Sequence, residues 1–316
     1  MADRRQLGYV SSTISTAVPA YAMGFGPSPY HYNGSLYQYD IYTSTGTWVA
    51  PVTSADVIVV AGGGGTGRNG GGGGAGGVRD LIAATFVIGN TYNVTVGAAG
   101  TMSTTSATAG GNSSITTSGA TISATGGGRG GTATAAATAG GSGGGAYITS
   151  AAGAGNAGGY TPAEGYAGGA GRNVAGGASG SGGGATSAAL AANQGVAYGG
   201  GNRDVSGRCG IGFNLPDDLT DFGLFDNLRV PVGSSQYTNV VRPNVAIAFG
   251  GLGYGYAGFQ GVLSSDVVGA YTGGIGATYN VAASGARGWG NGACGGSGTN
   301  NVTAGTGGIV IIRYAL

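Results

Sequence analysis

Side chains able to do chemistry are few and scattered. One histidine (His31), two cysteines (Cys209 and Cys294) and one glutamate (Glu164) are spread over 316 residues, and all twelve basic residues are arginine. Without lysine there is neither a P-loop nor a Schiff base. One histidine and two cysteines cannot close a structural zinc site. His31 lies in a Tyr/Pro-rich stretch and reads as packing. Asp217, Asp218, Asp221 and Asp226 form the one acidic cluster, but they lack the alternation of a calcium loop and read as a solvated face. Gly-x-Gly-x-x-Gly recurs, yet with 76 glycines it carries no information. The expectation is a protein that is not an enzyme, with no catalytic residues, no metal and no cofactor.

The remaining recognition chemistry is aromatic. Tyr160, Tyr166, Tyr198, Tyr254, Tyr256 and Trp289 lie in or beside the short pieces that interrupt glycine runs. Aromatic side chains at exposed tips are contact residues for sugars or proteins; in a glycine bundle they serve equally well as caps.

The elements that position them follow from glycine. Glycine and proline make up about a quarter of the chain, near the level that signals low complexity. Only 7% of residues are charged and 41% are hydrophobic, the reverse of a disordered composition. Helix is disfavoured throughout. Val57–Val60 reads as a buried strand that runs into the glycine block 61–77, and 309–313 reads as its partner in the same sheet. The tyrosine-rich stretch 30–49 and the segments 86–96 and 114–123 read as further strands, the latter two as hairpins turning at Gly89-Asn90 and Ser118-Gly119. Ordered polyglycine that is neither helix nor ladder is left with polyproline II geometry, whose rods pack backbone to backbone. Arg68-Asn69 reads as a turn between two rods.

The expected fold is therefore mainly β with very little helix: a β-sandwich-like module closed by the C-terminal strand, carrying a long excursion of polyglycine rods. Residues 1–30 read as an attachment arm, 31–125 as the β-module with the first rods and 126–208 as the rod region. Residues 209–249 read as a low-glycine insertion opening on a short helix near Leu215–Phe222, and 250–316 as the glycine-rich return and closing strand.

Net charge is +1 with scattered arginines, so no nucleic-acid stripe exists. Apolar runs fall short of the ~20 residues of a membrane span. Residues 1–16 lack the apolar core of a secretory signal, so synthesis in a cytoplasm is expected. Two cysteines are too few for a disulfide scaffold, and their bonding state stays open.

The order Val57-Ile-Val-Val-Ala-Gly-Gly-Gly-Gly65, Gly70–Gly77, Tyr92-Asn-Val-Thr-Val-Gly-Ala-Ala-Gly100, Gly110–Ile115 and Gly307-Gly-Ile-Val-Ile-Ile-Arg-Tyr314 resembles the glycine-rich domain of tailed-phage fibre and virion proteins, over about residues 40–314. The rods also look like those of T-even-type phage fibre-tip adhesins. The resemblance implies a virion protein, often receptor-binding, with host contacts on loops between rods. Its implied partners are other virion proteins through residues 1–30, a host surface polysaccharide or outer-membrane protein, and sister chains in a homotrimer. A capsid decoration or head fibre without receptor is the alternative. An ice-binding polyglycine bundle is a third class, which predicts a flat, repetitive Thr/Ala face.

Overall fold

A computed structural model describes residues 30–32, 35–103, 107–173, 178–189, 191, 209–214, 246–248, 250–251, 253, 289–295 and 304–316. Among these there is no helix. The strands are β1 (Tyr30–Tyr32), β2 (Ser35–Tyr42), β3 (Gly46–Val49), β4 (Ser54–Val60), β5 (Val78–Thr85), β6 (Thr91–Thr95), β7 (Ser113–Thr116), β8 (Thr121–Ala124), β9 (Phe213–Asn214), β10 (Ala246–Ile247) and β11 (Ile309–Ala315). The helix expected near Leu215–Phe222 and the whole of residues 1–29 lie outside the described residues.

The continuous apolar run of β4 requires burial on both faces, and it receives it. In the larger sheet, of order β1-β2-β11-β4-β5, β11 sits between β2 and β4. Ile309 pairs with Val60 and Arg313 with Asp56, so the far end of the chain closes the sheet, as the apolar pattern of β11 predicts. One face packs Val57, Val59, Val310 and Ile312 against the smaller sheet β3-β6-β7-β8, which supplies Trp48, Tyr92, Val94 and Ile115. Trp48 meets Phe86 edge to face at 4.7 Å. The other face packs Ile58, Val60, Ile309 and Ile311 against Ala185, Ile247 and Ala248, with Phe213 and Trp289 alongside. The described ends of the low-glycine segment thus lie on the outer face of the main sheet.

The segment 86–96 is not a hairpin. Residues 91–95 pair with β3 and β7, while Phe86–Asn90 form a corner that carries the chain from one sheet to the other. Phe86 is drawn into the core beside Trp48, and Gly89, at φ +81°, turns the chain. The β7–β8 hairpin is as expected.

At one end of the sandwich the strands run on into rods. In 71–77, successive N–H groups donate to different neighbours with a period of three. Gly71, Gly74 and Gly77 reach the carbonyls of Gly131, Gly128 and Thr125. Gly72 and Ala75 reach Gly180 and Gly183; Gly73 and Gly76 reach Ala293 and Gly290. All seven bonds measure 2.8–3.0 Å. Three residues per turn is the period of a polyproline II helix, and this rod is bonded on three sides. The rod glycines avoid positive φ; among the described glycines only Gly89, Gly159 and Gly290 adopt it. Glycine is required here for space. A Cβ on Gly71, Gly72 or Gly73 would fall on the carbonyl of Gly145, Gly251 or Gly64 respectively.

The first two rods, 61–65 and 71–77, are antiparallel and bonded to each other (Ala61 N–H to Gly77 O, Gly64 N–H to Gly74 O). Between them lies the expected turn. Gly70 N–H donates to Gly67 O, Asn69 sits at φ 53°, and the Thr66 hydroxyl donates to Gly71 O. Gly72→Val should cost about 3 kcal/mol through overpacking and lower Tm by about 6–12 °C. Gly119→Ala, at an open turn with no atom in the way, should leave Tm unchanged; equal melting of the two variants in calorimetry would contradict the packed-rod account.

Candidate functional site

The rods carry loops to the end of the molecule remote from the sandwich. The described residues of five loops gather there: 66–70, 101–103 with 107–108, 132–137, 147–150, and 171–173 with 178. Hydrogen bonds join them. Ser103 N–H reaches Thr66 O at 3.3 Å, Gly71 N–H reaches Gly131 O at 2.8 Å, and the Ser179 hydroxyl donates to Asn69 O at 2.8 Å. Gly131 abuts Tyr147 and Ser150, and Gly171 abuts Ile148. Arg172 and Ala178 form an isolated bridge at 2.8 and 2.9 Å. The apex exposes Arg68, Arg172, Asn173, Thr101 and Met102, the last at 51%.

Charge is distributed unevenly. The acids among the described residues, Asp40, Asp56, Asp80 and Glu164, all belong to the sandwich or its junction with the rods. The described apex loops carry arginine and no acid. The result is a hydroxyl-rich, cationic apex on a stiff support, suited to anionic or hydroxylated ligands.

The sequence-derived contact candidates are dispersed. Tyr160 lies in the loop beside the sandwich, its ring under the Arg79 guanidinium at 3.8 Å. Tyr166 is 42% exposed on the flank of the bundle, where its carbonyl accepts from Gly143 N–H. Trp289 is half-buried against the outer face of the main sheet. Tyr198, Tyr254 and Tyr256 lie outside the described residues. None of the three described aromatics is at the apex. The apex residues Arg68, Met102, Tyr147 and Arg172 were not singled out as contacts by sequence; their signal is position, each standing in the short break after a glycine run.

Glu164 is the chain's one glutamate, and it is fully buried. Its carboxylate accepts from Thr125 N–H at 2.7 Å and Gly158 N–H at 2.9 Å, and its carbonyl accepts from Val78 N–H at 2.8 Å. It lies against Gly77, where rod becomes strand. Asn156 holds its loop, accepting from Tyr160 N–H at 3.1 Å and Glu164 N–H at 3.3 Å. Both carboxylate oxygens therefore serve the backbone, a fastening role.

The other acids hold strands. Asp56 accepts from Arg313 at 2.6 and 3.1 Å and from Ala83 N–H at 2.9 Å. Burial, then repulsion from Asp56, pushes the Asp80 carboxyl up, against the pull of Arg313. Asp40 accepts from Trp48 Nε1 at 2.7 Å and Tyr314 OH at 2.9 Å. Burial pushes its carboxyl above the ordinary range, against hydrogen bonds from Trp48, Tyr314 and Gln38. Cys294 is buried and Cys209 half-buried. Among the described residues no group of three His, Cys, Asp or Glu could hold a metal ion.

A β-sandwich from which hydrogen-bonded polyglycine rods extend, ending in a loop cluster, defines the class. Residues 42–315 match the family described as Glycine-rich domain, and the chain belongs to that family. No curated protein matches the chain.

Two outcomes follow. Glu164→Ala removes the acceptor of the part-buried Thr125 and Gly158 N–H groups and should cost about 1–2 kcal/mol in urea unfolding, with Glu164→Gln recovering part. Because Asp40 binds its proton more tightly folded than unfolded, stability falls as pH rises through the window above the ordinary Asp value of about 3.9. Wild type should lose stability relative to Asp40→Asn as pH is raised through that window; parallel curves would refute the assignment.

Proposed function

We propose that this protein is a non-enzymatic phage virion component, a tail-fibre or receptor-binding adhesin that touches the host surface through the loops between its rods. The observation that carries the reading is the polarity of the molecule. Loops joined into one apex stand on mutually hydrogen-bonded rods, and the sandwich lies at the opposite end. A stiff support loses little conformational freedom on binding, which suits a contact surface. The cationic apex fits the phosphate and hydroxyl groups of a surface polysaccharide; an outer-membrane protein is the other target class. Residues 1–30 attach the protein to other virion proteins, and sister chains assemble as a homotrimer. The location is the virion, on tail or fibre, after synthesis in the host cytoplasm.

One observation favours a second reading. On the outer rods, exposed alanines recur at a spacing of three: Ala151, Ala154 and Ala157; Ala167 and Ala170. Neighbouring rods of this layer are bonded, Gly140 N–H to Ala154 O and Gly168 N–H to Gly153 O. A bonded layer studded with alanine at this spacing is a feature of an ice-binding bundle.

The adhesin reading is tested by adding purified protein to bacteria susceptible to the phage that carries it. Binding and competition with infection are expected. Arg68→Ala with Arg172→Ala should weaken binding about tenfold, the loss of roughly 1.4 kcal/mol of charge-assisted contact, at unchanged Tm. Incorporation into particles without cell binding favours an architectural capsid decoration or head fibre instead. Thermal hysteresis in place of cell binding favours the ice-binding reading.

A further inference from the structure

The described arginines are Arg68, Arg79, Arg129, Arg172 and Arg313, and all but one are provided for. Arg313 is paired with Asp56 and lies 5.5 Å from the centre of the Tyr37 ring. Arg79 stacks on Tyr160. Arg68 and Arg172 are exposed to solvent. Arg129 is half-buried, its Nε is shut off from solvent, and that nitrogen has no hydrogen-bond partner among the described residues. The described acids stand at the sandwich or its junction with the rods, so none of them neutralises it.

Arg129 is the one residue with a side chain in the glycine rod 126–131. Its backbone is held from several sides. Gly128 N–H donates to Ser142 O at 2.8 Å and Gly130 N–H to Gly65 O at 2.9 Å. Arg129 N–H donates to the Thr138 hydroxyl at 3.0 Å, and Thr138 N–H returns to Arg129 O at 3.1 Å. The chain reverses three residues on, where Thr132 N–H meets Ala135 O at 2.7 Å. Gly65 directly precedes Thr66, whose carbonyl receives Ser103 N–H. Arg129 therefore stands one rod turn below the apex.

A guanidinium keeps its charge throughout the working pH range. A shielded donor on such a group, without an acceptor, carries the full cost of leaving water. An orphan of this kind in a native fold marks a place for strain, an ion or a ligand. An oxyanion removes the cost. Nε–H and the adjacent terminal N–H lie parallel in the guanidinium plane and match two oxygens of one anion. Phosphate, with a charge of about −1.5 to −2 at pH 7, gains more there than a carboxylate does.

We propose that Arg129 is an anion-binding residue, its Nε–H and a terminal N–H taking two oxygens of one phosphate group at the apex end of the rods. The assignment deepens the adhesin reading and rests on it only for the source of the phosphate, an ester on a surface polysaccharide. The backbone bonds to Thr138, and those of its neighbours to Gly65 and Ser142, preset the residue, so little order is lost on binding.

The test melts the intact full-length protein by calorimetry in chloride and in inorganic phosphate at equal ionic strength. Phosphate at about tenfold its dissociation constant should raise Tm by about 3–6 °C, and acetate by less. Arg129→Met removes a donor without a protein partner, so it should melt no lower than wild type in chloride and should not respond to phosphate. Arg129→Lys, which keeps the charge without the fork, should bind phosphate about tenfold more weakly. Arg68→Ala with Arg172→Ala should respond as wild type does. A sugar phosphate that binds more tightly than inorganic phosphate makes a glycan ester the source; the reverse order makes it a free anion, and both support the site. No rise in wild type, or an equal rise in Arg129→Met, would overturn the proposal. So would an Arg129→Met variant that melts well below wild type in chloride, which makes the residue structural. Failure of cell binding with the phosphate response intact would strike the adhesin reading and leave this site standing.

Discussion

Everything in this structure depends on where the peptide groups of glycine find their partners. A glycine rod has no side chain to hide behind, so each buried N–H and C=O must be met by another backbone. A helix with three residues per turn points its donors in three directions, and the lattice answers each with a separate rod. Ordering glycine costs more backbone entropy than ordering any other residue. One rod alone does not recover that cost; a rod bonded on three sides, like 71–77, recovers it through its neighbours. The bundle is cooperative for this reason, and tolerance of a Cβ at a rod position is set by which carbonyl stands opposite.

The sandwich provides the boundary condition. Rods begin where strands end, and the change from a ladder to a threefold lattice has to be made without orphaned groups. Glu164 and Ser113 do this with side-chain oxygens. Glu164 receives the N–H groups of Thr125 and Gly158, and Ser113 bridges Gly97 N–H and Val60 O at 2.8 Å each. Glu164 and Ser113 are accordingly joints between two kinds of backbone order. Asp56 with Arg313 and Asp40 with Tyr314 tie the closing strand in the same way.

The strands were legible in sequence where the pattern was apolar and continuous. The run Val57–Val60 and its partner Ile309–Arg313 announced a doubly buried pair, and Arg68-Asn69 announced the turn between rods. Phe86–Val96 misled because its spacing suits a hairpin equally well, and only the burial of Phe86 beside Trp48 decides for a corner. The apex was the least legible part. Its residues are small and polar, and what makes them a site is the lattice that assembles five loops distant in sequence. The aromatic signal pointed instead to Tyr160, which is occupied by Arg79, and to Trp289, which leans on the sheet.

The position of β11 also bears on how the molecule comes into being. The central strand of the main sheet joins partners about 250 residues earlier in the chain, a pairing of very high contact order. Until that strand emerges from the ribosome, β2 and β4 have an empty lane between them, and the rods grow from an unfinished foundation. Folding of this domain therefore waits for β11 to be made, and until then the nascent chain displays open strand edges that invite neighbours.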